Sequence, residues 1–165
     1  MSIPDGWKEL DFDGMFDHLD AHFTEHVGPI YIRGSLETGD QQLGFEVQEH
    51  MCNPAGICHG GMLMTVMDVG LAFVLHNHMG GARFTPSVSF NFDFLAPGQL
   101  GDFLICEGEC TRATKSTGFV SGQLVGKDGP VITGSGIFKI TDIVLDANHG
   151  AKAGMSGMAK VSKES

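Results

Sequence analysis

Cations are scarce in this chain: ten Lys and Arg stand against twenty Asp and Glu, a formal net charge of -10 over 165 residues. A surface of that sign repels nucleic-acid phosphates and anionic membrane headgroups, so neither is expected as a partner. Any anionic ligand must find a local basic cluster. Long apolar runs are missing as well. The longest, Met62 to Leu75, is interrupted by Asp68 and Gly70 and falls short of the roughly 20 residues a membrane span needs. Ser2 to Glu9 is polar, unlike a secretory leader. Cys52, Cys58, Cys106 and Cys110 show no paired C-x-x-C spacing, so reduced thiols in a cytoplasmic protein are expected. Cys52, Cys58 and His59 offer half of a zinc site without the second half, and no metal is expected. There is no internal repeat. The length suits one domain with a real core, taken as residues 1–145, followed by a flexible tail, 146–165, of Gly, Ala, Ser, Met and Lys without period.

What is present reads as elements in order. Phe12, Met15, Phe16, Leu19 and Phe23 recur at spacings of three and four, which predicts a short amphipathic helix over 12–26. Its histidines, His18, His22 and His26, recur every four residues; a polar helix face explains them better than a metal site. Two strand-like runs, 30–36 and 42–49, flank a Gly39-Asp40 turn signal and read as a hairpin. From Gly61 to about His78 the chain is apolar almost all round, which predicts a buried helix. The stretch 84–94 alternates Phe84, Pro86, Val88, Phe90, Phe92 and Phe94 with small polar residues, a strand by its period of two. Three more strands fit 103–113, 118–125 and 131–140, with a strong Asp128-Gly129 hairpin signal. The last four strands are expected as an antiparallel meander. One open sheet covers a central helix only by curling round it, and one flank of the helix then stays bare.

Asp68 raises a chemical question, because it interrupts the apolar helix. An uncompensated carboxylate in apolar surroundings costs on the order of several kcal/mol. A chain that keeps one there uses it or pairs it. The segment before it reads Asn53, Gly56, His59, Gly60, Gly61, in the order N-x-x-G-x-x-H-G-G, with Asp68 following. A helix N-terminus offers unsatisfied N–H groups, and glycines there give close backbone access to a developing oxyanion.

This spaced set resembles the hotdog-fold acyl-CoA thioesterases, and within them the phenylacetate-pathway thioesterases and their mammalian relatives. The resemblance runs from about Gly28 to Ile140 and takes in "NFDFLAPGQLGD" and "VITGSGIFKI". It implies an α+β hotdog fold: a curved antiparallel β-sheet wrapped around one long central helix, here with a short N-terminal helix. It implies a homodimer or a homotetramer built as a dimer of dimers, with active sites at the dimer interface. An acyl-CoA is the implied substrate, and no cofactor is called for.

Carried over residue by residue, the resemblance makes Asp68 the general base or nucleophile and the Gly60 N–H the donor to the thioester oxygen. Asn53 would hold the carbonyl or the water, Ser87 would orient the water, and Gly61 would line the substrate. His59 either braces the loop or helps polarise the carbonyl, with bracing favoured. Asp68 could instead be a structural acid bound to backbone, His76 or His78. Ser87 fits worst, since the alternation puts it with Ser89 and Asn91 on the polar face; a bulge near Pro86 or a site at a subunit boundary would reconcile it. Arg112 and Lys115 in "TRATKSTG", with Arg83, are candidates for the coenzyme A phosphates, or are ordinary solvated surface. The rival readings are a hotdog hydratase or dehydratase and a non-catalytic acyl-CoA-binding protein. The acyl group itself is not legible.

Overall fold

The structure is a computed structural model, and it describes residues 3–10 and 23–145. Seven strands form one sheet, with β1 (Lys8–Glu9), β2 (Tyr31–Arg33), β3 (Gln42–Glu46), β4 (Ser87–Phe94), β5 (Phe103–Ala113), β6 (Thr117–Gly126) and β7 (Gly129–Lys139). Among the described residues two helices accompany them, α1 (Phe23–Val27) and α2 (Gly60–Met79). Most of the expected N-terminal helix, including His18 and His22, lies outside the described residues, as does the expected tail 146–165. β2 and β3 form the expected hairpin, with Ile32 opposite Leu43. They are shorter than expected: Gly34 takes a positive φ of 75° right after β2, and a 3-10 turn at Glu49–Met51 follows β3.

Strand order is β1-β2-β3-β5-β6-β7-β4, all neighbours antiparallel. The expected four-strand meander is therefore corrected. Only β5-β6-β7 meander, while β3 pairs with β5, and β4 crosses to the far edge to pair with β7. Neither edge of β4 other than the one on β7 has a strand partner among the described residues. Val88 and Phe94 on it are 64% and 53% exposed.

The sheet curls around α2. Met62, Leu63, Val66, Met67, Gly70, Leu71, Leu75 and His76 are buried against it. The close approach is made by glycines. Gly108, Gly122 and Gly134 stand in one cross-strand row on β5, β6 and β7, continued by Phe92 of β4. A Cβ on Gly122 would lie 2.8 Å from Leu71 Cδ2, and one on Gly108 would lie 3.2 Å from Val74 Cγ2. The helix thus rests on bare backbone, which side chains would push away.

The expectation of a helix buried all round is corrected on one side. Gly61, Thr65, Asp68 and Ala72 are only half-buried and Met64 is 39% exposed. Spacings of four, three and four place Gly61, Thr65, Asp68 and Ala72 in one stripe. Asp68 is consequently half-buried rather than enclosed. At 20 residues, α2 would suffice by length and composition to cross a membrane, longer than the sequence run foretold. Its buried face, however, is packed into the sheet.

Candidate active site

The loop before α2 is pinned from both ends. Asn53 N–H donates to the Ile57 carbonyl at 2.8 Å, His59 N–H to Met51 at 2.8 Å and Cys58 N–H to Gly98 at 2.9 Å. Inside it, Asn53 Oδ1 accepts from the Ala55 N–H at 2.9 Å, and Gly56 takes φ 78° to close the turn, a conformation that favours glycine. With its oxygen engaged, Asn53 keeps its Nδ2 amide to donate.

His59 is the N-cap of α2, and its Nδ1 accepts from the Gly61 N–H at 2.9 Å. A backbone N–H can only donate, so this ring carries its proton on Nε2. Bracing is what the geometry gives His59. A helix begins with four N–H groups lacking intrahelical partners. Here Gly61 donates to the His59 ring, and Met62 and Leu63 donate to the His59 carbonyl at 2.9 and 3.2 Å. Gly60 N–H has no acceptor among the described residues. The Phe94 ring lies where a Cβ on Gly60 would meet it at 3.2 Å, so a larger residue at this helix start would crowd the aromatic edge of β4.

Asp68 lies two turns further on. Its Oδ1 accepts from Ser87 Oγ at 2.6 Å. The alternation problem at Ser87 is resolved by a bulge: Ser87 pairs with Phe138 and Ser89 with Ile137, so Val88 is the extra residue between them. Phe138 faces the core, and Ser87 shares its side. The bulge turns Ser87 toward the helix while Ser89 stays outside. Neither His76 nor His78 supplies the partner of Asp68. His76 Nε2 reaches the Arg83 carbonyl at 2.9 Å and Thr85 Oγ1 at 3.2 Å.

Two groups are therefore assembled separately. Asn53, His59, Gly60 and Gly61 form one, at the N-terminus of α2; Asp68 and Ser87 form the other. The eight residues from Gly60 to Asp68 span about 12 Å along the axis, so one reacting carbon cannot touch both within a protomer. The proposed phosphate cations are not gathered either. Arg83 Nη1 donates to the Thr141 carbonyl at 3.3 Å and faces Asp142 at 3.8 Å, which ties it to the chain after β7. Arg112 and Lys115 stand exposed at the β5–β6 turn, near the C-terminal end of α2, where Gly118 lies under Leu75.

A feature the sequence did not disclose is a cavity of about 480 Å³ beside the first turns of α2, floored by Met51 and Met62 and reached past His50, His59 and Thr65. Its walls come from three distant segments, so no local pattern announces it. Larger hollows, about 520 and 710 Å³, lie on the polar outer face of the sheet and beside the β2–β3 turn, away from these groups. The four cysteines are free thiols. Burial pushes Cys58 and Cys106 up to about 12, so both stay protonated at neutral pH and neither serves as a nucleophile. Among the described residues no cluster of His, Cys, Asp and Glu is arranged to hold a metal.

Comparison with known proteins places this geometry. A family model described as the thioesterase superfamily matches residues 55–133. A Pseudomonas aeruginosa protein provisionally named an esterase is 25% identical over 142 residues, covering 85% of this chain and 98% of that one. The PaaI protein of the E. coli phenylacetic acid degradation operon superposes with a TM-score of 0.63 at 24% identity, over 71% of this chain and 83% of that one. A Streptococcus pneumoniae hypothetical thioesterase, solved with coenzyme A, gives 0.58 at 22% identity, over 68% and 88%. A Streptococcus mutans protein bound to acetyl CoA gives 0.60 at 22%, over 76% and 97%. The fold is the hotdog fold, and the expected likeness to thioesterases is found over residues 55–133.

Proposed function

We propose, from the premise that this is a hotdog-fold chain whose residues 55–133 match the thioesterase superfamily, that it hydrolyses an acyl-CoA thioester to the free acid and coenzyme A. The observation that carries the reading is the division of the site. A Gly60 N–H with no acceptor among the described residues sits at a capped helix start, and a carboxylate held by Ser87 at 2.6 Å faces outward on the bare stripe of the same helix. A two-fold dimer that packs stripe on stripe brings Asp68 and Ser87 of one chain against Asn53 and Gly60 of the other, completing two sites and covering the flank. Dimers of this kind can pair further into tetramers. The coenzyme A and acetyl CoA bound by the streptococcal proteins support the class of substrate.

The chemistry follows from the donors present. The thioester oxygen accepts from Gly60 N–H and Asn53 Nδ2, which stabilise the charge it gains as the carbonyl carbon becomes tetrahedral. Asp68 takes a proton from water, whose oxygen bonds to that carbon, or attacks it directly to give, once the thiolate has left, a mixed anhydride that a water then hydrolyses to the free acid and the regenerated carboxylate; Ser87 holds the carboxylate in aim in either case. The C–S bond then breaks, and the coenzyme A thiolate leaves and is protonated. The acyl group enters the cavity over Met51 and Met62, whose flexible side chains suit an apolar occupant. Arg112 and Lys115 contribute positive charge for the coenzyme A phosphates, and a cytoplasmic location belongs to the same proposal.

A hydratase needs a His and an acid over the α and β carbons of its substrate. Here His59 is committed to its cap and Asp68 to a serine, which favours hydrolysis. A thiol-release screen across aromatic and aliphatic acyl-CoAs tests the reaction. Hydration of an enoyl-CoA without thiol release, or tight binding without turnover across the panel, would replace it with one of the rivals. Subunit mixing tests the shared site. Asp68→Ala and Asn53→Ala proteins, each inactive alone, form on even mixing half mixed dimers with one intact site each, so about one quarter of wild-type activity returns. Confirmed subunit exchange by mass spectrometry with no recovery would mean that each site is built from one chain.

A further inference from the structure

His76 is buried on α2 two turns beyond Asp68 and is not explained by the chemistry above. Its Nε2 lies 2.9 Å from the Arg83 carbonyl and 3.2 Å from Thr85 Oγ1. A carbonyl only accepts, so Nε2 is the donor, and one ring grips two points of the connection between α2 and β4. The other side of that connection is held by the chain leaving β7. Thr141 Oγ1 donates to the Phe84 carbonyl at 2.7 Å, Phe84 N–H to Ile143 at 2.9 Å and Lys139 N–H to Pro86 at 2.9 Å.

Between the gripped Thr85 and the functional Ser87 stands only Pro86. Proline fixes its own φ and restricts the residue before it, so Thr85-Pro86-Ser87 behaves as a short stiff lever. Its near end is bound to α2 through His76. Its far end carries the hydroxyl that meets Asp68, on the same helix, at 2.6 Å. Ser87 opens β4 opposite Phe138 and the bulge at Val88 follows at once, so the regular ladder resumes only at Ser89 and the lever settles how closely Ser87 meets Asp68.

We infer that His76 is a positioning residue for the reaction: by clamping Arg83 and Thr85 to α2 it sets, through Pro86, the placement of Ser87 against Asp68. The inference rests on the proposed hydrolysis and on the part given there to Ser87. A displacement of about 1 Å in a site of this kind can cost as much as 10²-fold, while a buried histidine of purely structural value would alter stability alone.

A double-mutant cycle separates the two. His76→Leu keeps bulk and removes the donor; His76→Gln keeps an N–H donor at the same reach. In an otherwise wild-type chain His76→Leu is expected to lower kcat about tenfold with KM within twofold, and His76→Gln to recover most of it. In a Ser87→Ala background the same His76→Leu change is expected to move kcat by less than twofold, since the hydroxyl it aims is gone. An equal fractional loss in both backgrounds would overturn the positioning assignment and leave the hydrolysis standing. A Ser87→Ala enzyme with wild-type kcat would overturn the part given to Ser87 and the positioning assignment with it, whereas absence of thiol release by the wild-type protein would overturn the hydrolysis itself. Should His76→Leu fail to fold, Pro86→Gly, which loosens the lever and leaves His76 in place, takes its position in the cycle with the same two outcomes.

Discussion

The two sides of α2 belong to one apolar run of sequence and differ in what lies across from them. On the sheet side Leu71 is fully buried and rests on Gly122, and Leu75 rests on Gly118. On the opposite flank Thr65, Asp68 and Ala72 face no strand of their own protomer closely enough to be buried. The first side is finished within one chain. The second carries the only carboxylate of the helix and is finished by something else. Apolar neighbours in sequence therefore do not measure how buried a charge is; the element across from it does.

The largest expected effect tests the finished side. Leu71→Ala leaves a cavity over the glycine row and should cost about 2–5 kcal/mol of unfolding free energy, read by denaturant unfolding, with kcat per folded molecule unchanged. If kcat falls with stability, the two sides are not independent. Next comes the open flank. Asp68→Asn should lower turnover about 10²-fold or more, roughly 2.7 kcal/mol on the barrier, with no loss of stability. Near wild-type thiol release would move Asp68 to a structural part and erase the contrast.

A third measurement sharpens the boundary between the sides, where His76 sits. Burial holds its imidazole below the ordinary 6.5, against the opposing pull of its bond to the Arg83 carbonyl. The folded state therefore binds fewer protons than the unfolded one below that pH. Stability is intact above about 6.5 and is lost as pH falls from there toward the folded-state value, by up to ~1.4 kcal/mol per pH unit. The His76→Gln protein should lack that part of the slope in unfolding curves taken between pH 7 and 5. The smallest effect is expected furthest from both sides. Arg112→Ala with Lys115→Ala should raise KM several-fold at low salt, less than about 1 kcal/mol, leave kcat alone, and fade as salt rises. A salt-independent change would point to packing.

The helix, its loop and the strand segments were legible because each is written in local spacing. The apolar run predicts α2, and His-Gly-Gly before it predicts a helix start with free N–H groups. What was not legible depends on distant parts of the chain. The period of two in β4 cannot say that β4 passes over β5 and β6 to reach β7. That alternation, counted straight through, puts Ser87 outside, and a single extra residue at Val88 reverses it. Asp68 seemed enclosed because nothing in the sequence shows which flank the sheet leaves open. Arg83 was available as a phosphate ligand until Thr141 and Asp142, nearly sixty positions later, came back to meet it.

The exposed edge of β4 also bears on how the molecule comes into being. A strand edge of eight residues that has no strand partner among the described residues, with Val88, Phe94 and Leu95 open to water, offers backbone groups to any chain that reaches it. For a newly made protomer, correct pairing is a second-order event that competes with indiscriminate sticking. The proposed partner thus acts as a ligand that binds the folded state alone. The thermal midpoint should then climb with protein concentration, as mass action demands, and specific activity should fall when the protein is diluted below the point where its own copies find one another.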